Sequence, residues 1–393
     1  MEDKKEEKKL FRDKKTVLRL IAVIVLAAVG ASGIAIGIGG LLTTGKGVKT
    51  VEAHDGAVGC AHELVFTYEL GVSGMSSTAE YKALRNIYTE KTIYYYRLFH
   101  PTLSFSDTVN LASLNSSPNT EIVLPAELCS SLEKAASDPG RNIFLAPAFA
   151  YYETLWSSSY DEDAATWDPA RNTLMRSFCD ALIPFVGSDE HVSLEFRGGG
   201  KVVLRVSDEY LAFADERGIE AFVDFCWMKN AYIVDLLADD FVSLGYRHGA
   251  IASKDGFARN FDSSDTRYVS GFYIEKDGKT VSAGGLVYGG GVAFCSLRRF
   301  ALDGFEESYC YTYRDGTVVS RYIGVSDLLP HDASGPATAF STRLGCSDLL
   351  LRLLPLYMSD RCREFGGDGE AGLLYLDGDS VSCIPSDGCE YRP

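Results

Sequence analysis

From Leu20 to Gly45 the chain reads LIAVIVLAAVGASGIAIGIGGLLTTG, 26 consecutive residues without a charge. A helix crosses the hydrocarbon core of a bilayer with about 20 apolar residues. Ahead of this run, Lys4, Lys5, Lys8, Lys9, Arg12, Lys14, Lys15 and Arg19 stand against five acids. Positive flanks stay on the cytoplasmic side. The reading is therefore a basic cytoplasmic tail over 1–19, a transmembrane anchor over 20–45, and everything after Lys46 outside the cytoplasm, at the cell membrane. The competing reading is a signal peptide cut near Val51-Glu52-Ala53; against it, the apolar run is long and the cut distant. Gly33 and Gly37 form the GxxxG pattern of paired helices, but glycine is common in membrane spans and that plainer explanation is preferred.

The charge balance narrows what the exported part can bind. The full chain has 38 basic and 54 acidic residues, a net of −16, which disfavours an unaided nucleic-acid binder. Without the first 19 residues the balance is 30 against 49, or −19. Anionic headgroups repel such a body, so it is expected to stand off the bilayer on the stretch from about Lys46 to Asp55. Hydrophobic residues at 46% and aromatics at 12% supply a large packed core.

Ten cysteines are scattered without a CxxC pair or an alternation with histidine, so no structural zinc site is expected. Cys383 and Cys389 flank Ile-Pro-Ser-Asp-Gly and are the one local disulfide candidate. Cys60 follows Ala57-Val58-Gly59 in the manner of a lipoprotein cleavage box, but the apolar run ends 15 residues earlier, which argues against lipidation. The six histidines form no HExxH pair and there is no GxSxG.

Periodicity in the exported region suggests mixed elements. Tyr88 and the run Tyr94-Tyr95-Tyr96-Arg97-Leu98-Phe99 are read as core or as the wall of a groove. Helices are expected at 125–136, with Pro125 in the first turn, and at 169–185. Val192–Leu194 and Val202–Val206 alternate as a hairpin across Arg197-Gly-Gly-Gly-Lys201. That glycine cluster lacks the ending of a phosphate-binding loop. Ile219 to Phe225 is read as a strand that runs into a helix over 229–244, a joint at which backbone N–H groups can meet a phosphate. Strands follow at 268–275, 280–288, 292–297, 309–313 and 317–325, then a helix over 337–357. The order gives an α+β fold of mixed sheets packed with helices.

Three blocks over about residues 105–357 carry a family pattern. The first is Asn110-Leu-Ala-Ser-Leu-Asn115 followed by the Pro125 helix. The second is Asp224-Phe-Cys-Trp-Met-Lys-Asn-Ala-Tyr-Ile-Val-Asp235, then Leu244-Gly245 and Ala252-Ser-Lys-Asp-Gly256. The third is Gly324-Val-Ser326 followed by Ala337-Thr-Ala-Phe-Ser-Thr342. In this order and spacing they resemble the ApbE-like FAD:protein FMN transferases, which are typically exported and often membrane-attached. Asp224, Tyr232, Val234 and Asp235 coincide with the family pattern, whereas Cys226 and Trp227 replace two glycines and Lys229 falls one place before the family lysine. The resemblance implies a flavin-transferase-like domain over 105–393, with 46–104 as linker and start of the exported region. It implies that Asp224, Lys229, Tyr232, Asp235, Ser253 and Gly256 line a flavin nucleotide and that Thr342 helps hold Mg²⁺.

In such an enzyme Mg²⁺ polarises the pyrophosphate of FAD while a Ser or Thr hydroxyl of an exported acceptor protein attacks the FMN phosphorus, releasing AMP. This chain departs from the pattern where the metal sits: Thr338 replaces the carboxylate, and Asp348, six steps along an expected helix from Thr342, faces elsewhere. The family histidine is also missing. Two further readings therefore stand beside the transferase: a degenerate flavin- or nucleotide-binding surface protein of the same fold, and a structural surface protein with no ligand. On the plainest view of single residues, Asp224 and Asp235 orient a helix, Thr342 is a buried helical hydroxyl and Gly256 makes a turn.

Overall fold

The computed structural model describes residues 47–393 apart from 73, 277–278, 298–308, 332–334 and 367–368. The basic tail and the 20–45 run, with Gly33 and Gly37, lie outside the described residues. Among the described residues no helix is long and apolar enough to cross a membrane.

In chain order, β1 (Val48–Thr50) and β2 (Leu64–Glu69) lead into the 22-residue helix α1 (Ser77–Leu98), whose N-terminus Ser76 caps by accepting from Ala79 N–H. The short α2 (Leu111–Asn115), β3 (Glu121–Val123) and α3 (Ala126–Ala136) follow. Next come α4 (Ala146–Trp156), α5 (Asp161–Trp167) and α6 (Thr173–Val186). The hairpin of β4 (Val192–Phe196) and β5 (Lys201–Val206) precedes α7 (Asp208–Arg217). The second half holds α8 (Lys229–Ser243), β6 (Gly249–Ser253), β7 (Phe257–Asn260), β8 (Tyr268–Lys276), β9 (Lys279–Tyr288) and β10 (Val292–Leu297). It ends with β11 (Tyr311–Thr312), β12 (Val318–Val319), β13 (Ala337–Ser341), α9 (Cys346–Met358), β14 (Gly372–Asp377), β15 (Ser380–Ile384) and β16 (Cys389–Arg392).

The frame is an antiparallel sheet of eight strands in the order β1-β2-β6-β7-β10-β13-β14-β15. Successive side chains of a strand point to opposite faces, and over the central strands β6, β7, β10 and β13 both faces are dry. Ile251, Phe257, Ala293, Cys295, Leu297, Ala337, Ala339 and Leu373 belong to the main core, where α8 packs on β6 and β7 and α9 on β10 and β13. Their neighbours Ala252, Ala258, Val292, Phe294, Phe340 and Leu374 form a second cluster with Phe272, Leu286 and Tyr288 of the three-stranded sheet β16-β9-β8. Double burial explains why 292–297 reads as a continuous apolar run and not as an alternation. A third sheet, β3-β5-β4, underlies α2 and α3, and its Leu204 and Val206 join the main core.

Several elements differ from the sequence reading. Residues 219–225 form no strand; their N–H groups are taken by a side chain and by a distant carbonyl, as described below. The helix expected over 337–357 is instead β13, pairing with β10 and β14, then a break at 342–345, then α9. Ala, Phe and Thr in 337–342 fit a strand buried on both faces as well as a helix, and local periodicity cannot separate the two. The strands expected at 309–313 and 317–325 shrink to the two-residue pair β11–β12. The helix expected from 169 starts at Thr173, because Asn172 caps it by accepting from the Leu174 and Met175 N–H groups. The stretch expected to hold the body off the bilayer is folded: β1 starts at Val48, and Val51 is buried. Cys383 and Cys389, the local disulfide candidate, are not joined and carry free thiols.

Candidate active site

The site forms where the 221–229 segment meets the C-terminal end of α1. Asn115 builds this junction. Its Nδ2 donates to the Pro101 and Val223 carbonyls at 2.9 and 2.8 Å, and its Oδ1 accepts from the Phe222 and Val223 N–H groups at 3.1 and 3.0 Å. One buried amide thus uses its full bonding capacity to clamp two chain segments. Asp224 N–H then donates to the Ile143 carbonyl, and Asp224 Oδ1 accepts from Cys226 N–H at 3.0 Å. Cys226 sits at φ +45°, in the left-handed region that disfavours a side chain. A single 3₁₀ turn, Cys226–Met228, passes directly into α8.

Between these segments lies a cavity of about 340 Å³. Tyr95, Tyr96, Phe99 and His100 supply one wall; Asp224, Cys226 and Lys229 supply another, with Glu153 and Tyr309 beside them. The aromatic run read as core or groove wall is both: Tyr95 is buried within α1 and still lines the cavity. Burial, with the Glu153 carboxylate adding to it, lifts the Asp224 carboxyl to about 6 against the Cys226 N–H and Lys229. Burial acts to lower the Lys229 ammonium, but the groups around it, Glu63 first and Asp255 among them, together outweigh it and the net displacement is upward, so the lysine stays charged. His100 is held below the usual imidazole range by burial and then by Lys229. Burial pushes the thiols of Cys60 and Cys226 up, which leaves both protonated and unreactive.

Behind Lys229 lies a buried polar network. Lys229 Nζ is 3.0 Å from Glu63 Oε1, and Asn230 Nδ2 donates to Glu63 Oε2 at 2.9 Å and to Asp255 Oδ2 at 2.8 Å. Arg321 donates to the Asp255 carbonyl at 3.0 Å while its guanidinium lies 4.6 Å over the Trp227 ring. The two carboxylates stand side by side, bridged by the Asn230 amide, with Lys229 on the far side of Glu63 and Arg321 beside Asp255, so each acid has a cation near it.

The residues singled out from sequence divide into two groups. Asp224 and Lys229 line the cavity. Tyr232 is buried one turn along α8, its ring edge-on to Phe225. Asp235 points the other way, accepting from Cys346 N–H at 2.8 Å, Ser347 N–H at 2.9 Å and Ser347 Oγ–H at 2.7 Å, and so anchors the start of α9. Ser253 and Gly256 shape the β6–β7 turn: Ser253 Oγ accepts from Phe257 N–H at 3.0 Å, and Gly256, at φ +119°, lies so close to β10 that a Cβ would be 2.3 Å from the Ser296 carbonyl oxygen. Thr342 is exposed in the break after β13, not on a helix. Thr338 lies in β13 with its hydroxyl 3.0 Å from Ser296 Oγ.

Glu153 and His100, which line the cavity, and Glu63, which holds Lys229 from behind, are not marked as site residues by the sequence, because they come from three elements distant in the chain. Asn115 was within reach, as the last residue of the first family block.

In fold the chain is similar to the flavin transferase ApbE of Vibrio cholerae, with a TM-score of 0.56 and 13% identity over 88% of this chain and 98% of that one. It is similar also to the ApbE protein of Thermotoga maritima, with a TM-score of 0.52 and 11% identity over 87% of this chain and 97% of that one. No family sequence model and no curated protein matches it. The chain thus has the mixed α+β fold of the ApbE-type flavin transferases in a diverged sequence.

Proposed function

We propose that the protein is a membrane-anchored, exported flavin-nucleotide-binding protein of flavin-transferase type, with FAD as the ligand of the Lys229 cavity. The observation that carries this reading is the cavity itself. Its volume falls in the range of small-ligand sites, and it combines flat aromatic walls for an isoalloxazine ring with one charged ammonium for a phosphate. The 20–45 run supports a single-pass anchor with the N-terminus cytoplasmic.

Transfer of FMN from FAD to a Ser or Thr hydroxyl of an exported acceptor protein needs concentrated positive charge over the pyrophosphate. In the family pattern Mg²⁺ supplies it. The residues here do not fit that ion. Thr338 stands at the carboxylate position with its hydroxyl beside Ser296. The carboxylates near Thr342 are engaged: Asp235 with α9 and Arg259, Asp348 with Lys134, Asp387 with Arg343. We therefore favour flavin binding without Mg²⁺-dependent transfer. A transferase that works without the ion is the second reading, favoured by Asp224: a carboxylate with a pKa of about 6 at the cavity wall is suited to take a hydroxyl proton near neutral pH.

Calorimetric titration of FAD into the full chain in detergent, with Mg²⁺ and with a chelator, tests both. Binding that is equal in the two buffers supports the favoured reading. Binding that requires Mg²⁺ overturns it, and no heat in either buffer removes flavin from the account. Release of AMP in the chelator buffer, with a Ser-containing acceptor peptide present, supports the second reading.

A further inference from the structure

We propose that residues 74–79, at the start of α1, rest on the bilayer surface and that α1 holds the cavity at its far end, away from the lipid. This rests on the anchor reading of residues 20–45.

The connection between anchor and body is too short for a stand-off. The uncharged run ends at Gly45, and β1 begins at Val48, paired with β2 through Val48↔Glu69. Two intervening residues span at most about 7 Å even when extended. The membrane-proximal end of the body is therefore the end where β1 starts and β2 finishes. Leu70 N–H donates to the Gly47 carbonyl at 3.4 Å, so the chain leaving β2 passes beside the point of attachment. Gly71 N–H in turn donates to Glu80 Oε2 at 2.5 Å, which brings the first turn of α1 to the same end.

The composition of that end suits a lipid surface. From Leu70 to Ala79 there is no charged residue, within a body whose net charge is −19. Residues 74–79 are all exposed, and Met75 leaves 44% of its surface in contact with solvent. Of the charges near it, Lys49 and Lys82 are exposed, while Glu69, half-buried, stands opposite Val48 at the same end. An uncharged tip with an exposed thioether and flanking lysines is compatible with headgroups where the rest of the body is repelled. The other end of α1 carries Tyr95, Tyr96 and the following Phe99 and His100, which line the cavity. A helix of 22 residues is about 33 Å long. The cavity is thereby separated from the attachment point by roughly the length of α1, where an exported partner domain can reach it.

The full chain is reconstituted into phosphatidylcholine vesicles as Met75→Trp, Thr78→Trp and Leu103→Trp, and flotation is checked first. Tryptophan emission is then compared in ordinary and brominated lipid after subtraction of the parent signal from Trp156, Trp167 and Trp227. The expected result is flotation, with the added emission at 75 and 78 blue-shifted and lost in brominated lipid and that at 103 unchanged. Flotation with no quenching at 75 and 78, or with equal quenching at 103, overturns the proposal and leaves the anchor standing. Failure to float overturns the anchor and this proposal together.

Discussion

Asp224→Asn isolates the electrostatic state of the cavity. In the parent, burial and Glu153 lift the Asp224 carboxyl from an ordinary 3.8 to about 6. Such a group binds more protons folded than unfolded between those values, so its contribution to stability declines as pH rises from about 4 to about 6. At about 1.4 kcal/mol per pH unit, the displacement is worth about 3 kcal/mol once the carboxylate is fully ionised. Asparagine keeps the oxygen that accepts from Cys226 N–H and removes the charge. The variant should therefore match the parent near pH 4 and exceed it by up to about 3 kcal/mol at pH 7–8. Urea unfolding of the full chain in detergent, followed by tryptophan emission at steps from pH 4 to 8, measures the gap. A gap that does not widen with pH refutes the reasoning. A variant less stable than the parent at pH 8 refutes it more strongly, because the ionised carboxylate would then be a net favourable partner of Lys229.

Three substitutions probe the frame around the site. Asn115→Leu leaves the Phe222 and Val223 N–H groups buried without a partner, at about 1–3 kcal/mol each; a loss of about 4 kcal/mol in urea unfolding is expected, and Asn115→Asp, whose second oxygen would face the Pro101 and Val223 carbonyls, should not recover it at neutral pH. Gly256→Ala places a Cβ 2.3 Å from the Ser296 carbonyl oxygen at φ +119°, so β7 and β10 must separate locally; a fall in melting temperature corresponding to at least about 2 kcal/mol is expected. Asp235→Asn turns an amide NH₂ toward groups that donate to the carboxylate, Ser347 N–H and Oγ–H among them, and should cost about 1–2 kcal/mol at pH 4–5, read as a lower urea midpoint with unchanged slope; because burial raises the Asp235 carboxyl, the loss should shrink as pH rises.

How far the sequence could be read depended on whether a signal was local. Helices with one apolar stripe or a clear cap, such as α3 and α8, are where periodicity puts them, and the Gly-rich hairpin between β4 and β5 is read correctly from its turn. Residues 219–225 failed because their bonding partners are Asn115, more than 100 residues earlier, and the Ile143 carbonyl; an apolar run satisfied by tertiary contacts looks like a strand in isolation. The 337–357 stretch failed because β13 is buried on both faces and so carries no alternation to set it apart from a helix. Of the site, Asp224 and Lys229 were legible from a motif. The network that fixes Lys229 was legible only in part: Asn230 and Asp255 lie in the second family block, but Glu63 ends the turn before β2, which meets β6 only in the fold.

The electrostatics of the cavity set what an anionic ligand would require of it. A pyrophosphate brings negative charge into a space where, among the described lining residues, Lys229 is the cation and Glu153 and Asp224 are acids. Lys229 is already shared with Glu63 at 3.0 Å, and His100 is displaced toward its neutral form. A divalent ion would offset this balance at once, but among the described residues no group of three or more His, Cys, Asp and Glu side chains is placed to hold one. Without the ion, one route to lower the opposing charge is to keep a proton on an acid. Asp224 is displaced in that direction, toward holding its proton at mildly acidic pH, and the proton is retained more readily still when an anion lies beside it. The same carboxyl that lowers the stability of the empty protein at neutral pH is the group best placed to accommodate an anionic ligand.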